Sequence, residues 1–212
     1  MSRLRQLTHF VAENAKSLRA VLKAIGYPFP IRSAVIGELN EHTPAQEFAR
    51  LLEPARRGVD LGIVSEAGCP AVADPGSVLV ALAHEEGLRI VPMVGPSSIL
   101  LALMASGFNG QRFAFHGYPP VKEPARTHTL RALEDDSRLH QCVQIFIETP
   151  YRNEATLQAV LAVCAPSTQL CLAVDLTSQN EWIATAAVRS WRGGRQRPNL
   201  DRRPAVFLLQ AT

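Results

Sequence analysis

The chain has 212 residues, 47% of them hydrophobic and 19% charged, with a formal net charge of +3. That balance is enough to bury a real core and excludes a disordered chain. The weak basic excess excludes a histone-like polycation that binds by charge alone. In chain order, the opening "MSRLRQLTHF" reads as the tail of a helix, and "THFVAE" (8–13) as a short strand. "KSLRAVLKAIG" has helical spacing and stops at Gly26; "SAVIGEL" is a strand. "TPAQEFARLLEPARRG" predicts one helix, with Thr43 as N-cap, Pro44 in the first position, Gln46 closing a capping box and Gly58 past the end. "DLGIVS" and "LRIVPMV" read as buried strands flanking the helix "GSVLVALAHEEG".

The apolar helix "SILLALMASG" follows, then the strand "RFAFHGY", a proline-rich turn and a polar helix over roughly 123–135. "CVQIFIET" is a strand, and Pro150 starts the helix "PYRNEATLQAVLAVC". "TQLCLAVDL", "WIATAAVRSW" and "PAVFLLQ" read as three further strands joined without helices. Alternating strands and helices indicate an α/β fold. The near-continuous apolar strands of the first half predict a parallel sheet covered on both faces, and the second half predicts a mixed sheet. A boundary near Gly95–Pro96 gives two α/β domains, 1–94 and 95–212.

The four cysteines (69, 142, 164 and 171) form no CxxC pair and no Cys/His zinc spacing, so no metal is expected. Reduced thiols are expected, with Cys142 and Cys171 inside apolar runs. No signal peptide opens the chain, and no run of about 18 apolar residues could span a bilayer. A soluble cytoplasmic protein with no membrane contact is the expectation.

Ligands in open parallel sheets bind beyond the carboxyl ends of the strands. Three loops meet that description: 65–76, 94–98 and 148–152, each leading into a helix. Glycine lets a ligand approach the backbone, proline fixes loop shape in advance, and helix starts offer free N–H groups. Each loop is also compatible with an ordinary strand–helix turn. Standard nucleotide fingerprints are missing: there is no GxGxxG, since Gly68 and Gly76 are separated by Pro70 and Pro75, and no glycine precedes Lys-Ser or Lys-Thr.

Four stretches, "VSEAGCPAVADPG", "VPMVGPSSILLALMASG", "RFAFHGYPP" and "FIETPYR", occur in this order. Together they resemble the tetrapyrrole methylase superfamily of S-adenosyl-L-methionine-dependent methyltransferases, over roughly residues 8–190. The nearest branch resembles the bacterial 16S rRNA cytidine 2′-O-ribose methyltransferases. The resemblance implies two α/β domains with the cofactor in a cleft between them, and a homodimer. It places Gly68-Cys69-Pro70 where the superfamily commonly has a Gly-Asp-Pro loop touching the cofactor, with a backbone contact at Val72. Ser97 and Ser98 match the pair that faces the cofactor, and Glu148 and Ala173 lie near strand ends on its adenosine side.

Glu13-Asn14-Ala15-Lys16 stands where the rRNA branch tends to carry Glu-Asp-Thr-Arg, a segment expected to face substrate. The resemblance also implies an extra strand and Gly/Pro loop ahead of the present start. Their absence would deprive "DLGIVS" and "THFVAE" of ladder partners. The implied activity is methyl transfer to RNA, an rRNA ribose 2′-hydroxyl on the ribosomal subunit. A tetrapyrrole or other small-molecule acceptor is the alternative, and a truncated, non-catalytic binding remnant is the third.

A ribose hydroxyl benefits from a general base. Glu148 is the candidate, with Arg152 holding a phosphate bidentately; the competing reading is a local Glu148–Arg152 salt bridge at a helix start. His116 is a strand-end hydrogen-bonder or a base. Five arginines between Arg192 and Arg203 offer a surface for RNA phosphates or form a solvated hairpin loop.

Overall fold

The computed structural model describes residues 2–40 and 42–211. The chain divides into two compact units, Met1–Pro96 and Ser97–Thr212, each with its own sheet and core.

The first unit is built on strands β1 (His9–Ala12), β2 (Val35–Glu38) and β3 (Leu61–Val64). They form an all-parallel sheet in the order β2-β1-β3. β1 lies in the centre, with His9 paired to Val35 on one side and Leu61 on the other. Successive side chains of a strand point to opposite faces, so β1 feeds two cores. Phe10 and Ala12 pack with Leu18, Leu22 and Tyr27; Val11 packs with Leu39, Leu52 and Leu79. The Tyr27 hydroxyl enters the first core only because it donates to the Leu7 carbonyl at 2.6 Å.

Helix α1 (Ala15–Ala24) covers the Phe10 face. Its N-cap is Asn14, whose Oδ1 accepts from the Lys16 and Ser17 N–H groups at 2.9 and 3.1 Å. The single helix expected over 43–58 is instead two, α2 (Ala45–Leu51) and α3 (Glu53–Arg56). Pro54 has no N–H to continue the ladder, which ends α2 at that point. The capping box does not form: Pro44 is the N-cap, without a side-chain cap bond, and Thr43 Oγ1 instead accepts from the Asn40 N–H at 3.0 Å. Helix α4 (Gly76–Glu85) lies on the other face, through Leu79 and Ala83.

Residues 88–94, expected as a buried strand, form no ladder with any described strand. Leu88 and Ile90 still pack on the Leu79 core, whereas Met93 is 64% and Val94 fully exposed. An apolar run becomes a strand only if a neighbour takes its N–H and C=O groups, and Pro92 removes one donor besides. β3 likewise has β1 as its one ladder partner among the described residues, and its side chains are half-buried. β1, by contrast, is paired on both edges, against the expectation that "THFVAE" would lack a partner.

The second unit starts with helix α5 (Ser98–Ser106), closed by Gly107 in the left-handed region at φ +76°. Strand β4 (Phe113–Phe115), helix α6 (Ala125–His140), strand β5 (Val143–Ile147) and helix α7 (Asn153–Val163) follow, then β6 (Gln169–Val174) and β7 (Trp182–Ala187). The segment read as one strand, "WIATAAVRSW", stops at Ala187 and continues as the short helix α8 (Val188–Arg192). β8 (Ala205–Gln210) closes the unit.

The sheet order is β4-β5-β8-β6-β7, parallel between β4 and β5 and antiparallel elsewhere. β8 sits between β5 and β6, and this centre is buried almost without interruption. Phe146 and Phe207 stack at 5.3 Å between ring centroids within one core face, which Leu130, Leu157 and Trp191 complete. α5 covers the opposite face, where Ala102 and Leu103 meet Val143, Ile145, Ala173 and Leu208.

Buried side-chain polar atoms are paired, with Asn153 Oδ1 the exception among the described residues. Glu134 accepts from the Ala165 N–H at 2.7 Å and from the Thr168 hydroxyl, tying α6 to the start of β6. All four cysteines are free: Cys164 and Cys171 are buried, Cys69 and Cys142 half-buried. Burial pushes the Cys164 thiol up to about 12, and the Cys171 thiol also upward, so both stay protonated and inert.

Candidate functional site

In the first unit, β3 runs into the loop 65–76 and then into α4. The loop is small-residue and tightly folded. Gly68, Ala71 and Ala73 all take positive φ, +73°, +66° and +54°. Two alanines in the left-handed region are uncommon and must be held there by surrounding bonds. Asp74 does this: its Oδ1 accepts from the Ala71 N–H at 3.0 Å and from the Gly76 N–H at 2.7 Å. A Cβ at Gly76 would stand 2.6 Å from that same oxygen, so glycine is required for the turn to close.

From the end of β1, Glu13 Oε1 accepts from the Glu66 N–H at 2.9 Å and anchors the start of the loop. Burial raises the Glu13 carboxyl above its ordinary value; the Glu66 N–H opposes this, and the neighbouring Asp74 carboxylate adds to it. Glu13 and Asp74 were missed in the sequence as loop-holders. An acid just past a central parallel strand, level with a glycine-rich loop, is the signal that points to them.

The sequence-derived residues of this loop are displayed in different ways. Gly68 is exposed, with open space where a Cβ would lie. Pro70 and Val72 are also exposed, and the Val72 N–H is already committed to the Cys69 carbonyl at 3.2 Å. Cys69 is half-buried and directs its Sγ to the Pro96 carbonyl, 3.6 Å away.

In the second unit, Ser97 is the N-cap residue of α5 without a side-chain cap bond. Among the described residues, neither the Ser97 nor the Ser98 hydroxyl has a partner. Ala173 is different: it is 1% exposed within β6, paired to Val206 and Ile183, and its methyl group belongs to the core.

Glu148 and Arg152 lie at the junction of β5 and a 3-10 turn (Pro150–Arg152) that leads into α7. Oε1 of Glu148 accepts from the Thr149 N–H at 2.7 Å and from Arg152 Nε and Nη2 at 3.0 and 2.7 Å. Oε2 accepts from the Thr156 hydroxyl at 3.3 Å. The Glu148 side chain is only 2% exposed, while that of Arg152 is 38% exposed. Burial works to raise the Glu148 carboxyl, but the Arg152 guanidinium, the Thr149 N–H and the Thr156 hydroxyl outweigh it and hold it below the ordinary value. The arrangement fixes Arg152 with an outward face beside the exposed Tyr151.

His116, at the end of β4, meets Gln144 Oε1 at 2.6 Å through its Nε2. The Gln144 amide nitrogen donates to Asp136 at 2.8 Å and to the Cys142 carbonyl at 3.1 Å, which fixes Oε1 as the acceptor and Nε2 of His116 as the donor. The histidine is a structural hydrogen-bonder here.

The basic stretch 192–203 is also ordered rather than uniformly solvated. Arg192 donates to the Leu161 and Cys164 carbonyls, Arg197 is paired with Glu154, and Arg203 with Asp175. Among the described residues no cluster of His, Cys, Asp and Glu side chains is suited to a metal, and no helix is long and apolar enough to cross a membrane.

No protein-family model matches the chain. Among curated proteins it is similar to the ribosomal RNA small subunit methyltransferase I of Escherichia coli O157:H7, 35% identical over 150 residues, covering 71% of this chain and 51% of that protein. The protein of the same name from Pseudomonas aeruginosa is 29% identical over 191 residues, 89% of this chain and 64% of the relative. Among solved structures, the methyltransferase CobJ superposes over 100% of this chain and 86% of its own, with a TM-score of 0.62 at 18% identity. Diphthine synthase has a TM-score of 0.62 at 14% identity, covering 98% of this chain and 80% of that one. These relatives and folds bear out the resemblance to the tetrapyrrole methylase superfamily. This chain has the superfamily's fold, a parallel-sheet unit followed by a mixed-sheet unit. It spans about half the length of the first curated methylases it matches.

Proposed function

We propose that this chain is the S-adenosyl-L-methionine-binding core of an RNA methyltransferase that acts on a ribose 2′-hydroxyl of small-subunit rRNA. The observation that carries it is the 35% identity over 150 residues to a protein named as a ribosomal RNA small subunit methyltransferase.

The residues present suit the cofactor. Gly68 offers bare backbone with open space at its Cβ position, and Asp74 and Glu13 hold the surrounding loop in a strained, fixed shape. Pre-organisation of this kind lowers the ordering cost of binding. Gly68, Cys69, Pro70 and Val72 are the contacts proposed from the first unit. Ser97 and Ser98, with unpartnered hydroxyls, are those proposed from the second, and Ala173 supports its side from within the core.

S-adenosyl-L-methionine supplies an already activated methyl group on a sulfonium. The chain's own work is therefore to orient the acceptor and exclude water. Glu148 is ill suited to be the base, because a carboxylate held below its ordinary value takes up protons weakly. Its role in this reading is to position Arg152, whose exposed guanidinium face meets a substrate phosphate. The protein is further proposed to be a cytoplasmic homodimer, tested by sedimentation.

The test of function is methyl transfer from labelled S-adenosyl-L-methionine to undermethylated small ribosomal subunits and, separately, to porphyrin precursors. Label in the ribosomal RNA is expected. Label in the porphyrin fraction alone would replace the RNA reading with the small-molecule one. No label in either, with cofactor binding intact, would favour a non-catalytic binding module.

A further inference from the structure

The second unit carries an open groove of about 880 Å³ that the proposed methyl-transfer site does not use. α7 forms one wall, through Glu154, Gln158 and Leu161; the end of α8 and residues 194–199 form the other. Its floor is rigid. Trp191 is 5% exposed, its indole N–H is shared between the Leu170 and Ala186 carbonyls at 3.2 and 3.1 Å, and its ring meets Trp182 edge-on.

Three arginines line the groove against one carboxylate. Arg197 is neutralised by a bidentate pair with Glu154, at 2.5 and 3.0 Å. Arg192 donates at 2.6 and 2.7 Å to carbonyls at the C-terminal end of α7, which hold the guanidinium but do not cancel its full charge. Arg195 is exposed and stacks over the Trp191 ring at 5.3 Å. Among the described residues no carboxylate pairs with Arg192 or Arg195. Two uncompensated positive charges therefore stand in one groove, both held by local packing.

We propose that this groove binds the phosphodiester backbone of the RNA substrate, with Arg195 and Arg192 facing phosphates and the amides of Gln158, Gln196 and Asn199 meeting ribose and phosphate oxygens. The assignment rests on the RNA-methyltransferase reading above. A guanidinium stacked on an indole keeps its outer N–H edge free in a fixed orientation, the geometry that phosphate recognition uses. An open, polar groove suits a polymer that passes through it; small ligands favour enclosed, mostly apolar pockets. The arrangement reads no base directly, so it positions substrate without selecting sequence.

The test is fluorescence anisotropy of a labelled single-stranded RNA oligomer, alongside methyl transfer to small ribosomal subunits, for wild type, Arg195→Glu and Arg195→Lys. Arg195 is exposed and unpaired, so the variants should fold, and calorimetry should give an unchanged affinity for S-adenosyl-L-methionine. Arg195→Glu is expected to weaken RNA binding about tenfold at low salt, the loss of one charge-assisted contact. The slope of log affinity against log salt should shrink by about 0.7 for that contact. Arg195→Lys should keep the slope and lose part of the affinity. Competition by inorganic phosphate as effective as competition by RNA would mark an anion site and overturn the proposal. Wild-type RNA affinity and methylation KM in Arg195→Glu would also overturn it, while leaving the methyltransferase reading intact. If wild type neither binds the oligomer nor methylates subunits, both fail together.

Discussion

The two sheets are built from apolar runs that look alike in the sequence, and they end in opposite states. β5, β6 and β8 reach almost complete burial, with Phe146, Leu170, Leu172 and Phe207 all at 0% exposure. "DLGIVS" and "LRIVPMV" also read as buried strands, yet β3 is only half-buried and residues 91–94 stand in solvent. The difference lies in partners. β8 has a strand on each side and helices over both faces, whereas β3 has one ladder partner and residues 88–94 none among the described residues. Hydrophobicity makes a segment available for a core; hydrogen-bonded neighbours decide whether it gets there.

Truncating matched positions sharpens this contrast most. Phe207→Ala removes a stacked, fully buried ring and should cost the second unit about 3–5 kcal/mol. Ile63→Ala, on half-buried β3, should cost about 1 kcal/mol. Denaturant midpoints for each unit's unfolding check this, and equal losses would show that the first unit's sheet is as tightly covered as the second's.

The loops on which the proposed site rests come next. Gly68→Val places a β-branched residue at φ +73°, with a strain of about 1–2 kcal/mol. It also fills the open space at Gly68, where the cofactor is proposed to approach. Loss of S-adenosyl-L-methionine binding by calorimetry, with only a small fall in Tm, is expected. A variant that binds normally would remove this loop from the site.

The two units should also answer pH with opposite signs. Glu148 has a lowered pKa, so its stabilisation is present above the ordinary carboxylate range and is lost as the pH falls through the depressed value. Glu13 has a raised pKa, so the stability linked to its proton is present at low pH and is lost as the pH rises through the raised value. Glu148→Gln should flatten the acid limb of the second unit's stability profile. Glu13→Gln should flatten a decline of the first unit's stability just above the ordinary range. The same sign of change in both variants would contradict the two environments.

The smallest effect concerns the capping box that did not form. Gln46 is exposed and its side chain makes no capping bond, so Gln46→Ala should change stability by less than about 0.5 kcal/mol. A loss nearer 1 kcal/mol, typical of a working cap, would mean that the box exists in solution.

The sequence by itself determined the α/β class, nearly every element of the second unit and the motif order that marks the superfamily. These are local: apolar periodicity, a glycine after a helix and a small-residue loop after a strand are all legible within a few residues. It also showed Glu148 and Arg152 four residues apart, without showing which of two roles the carboxylate has. Tertiary structure decided that by burying Glu148 under three donors besides Arg152 Nη2 and leaving Arg152 partly exposed. It decided too that Glu13 anchors a loop 53 residues away, that Arg195 lies over Trp191 and that residues 88–94 stay unpaired. Each of these depends on which distant residue arrives as a neighbour, and periodicity along the chain carries no information about that.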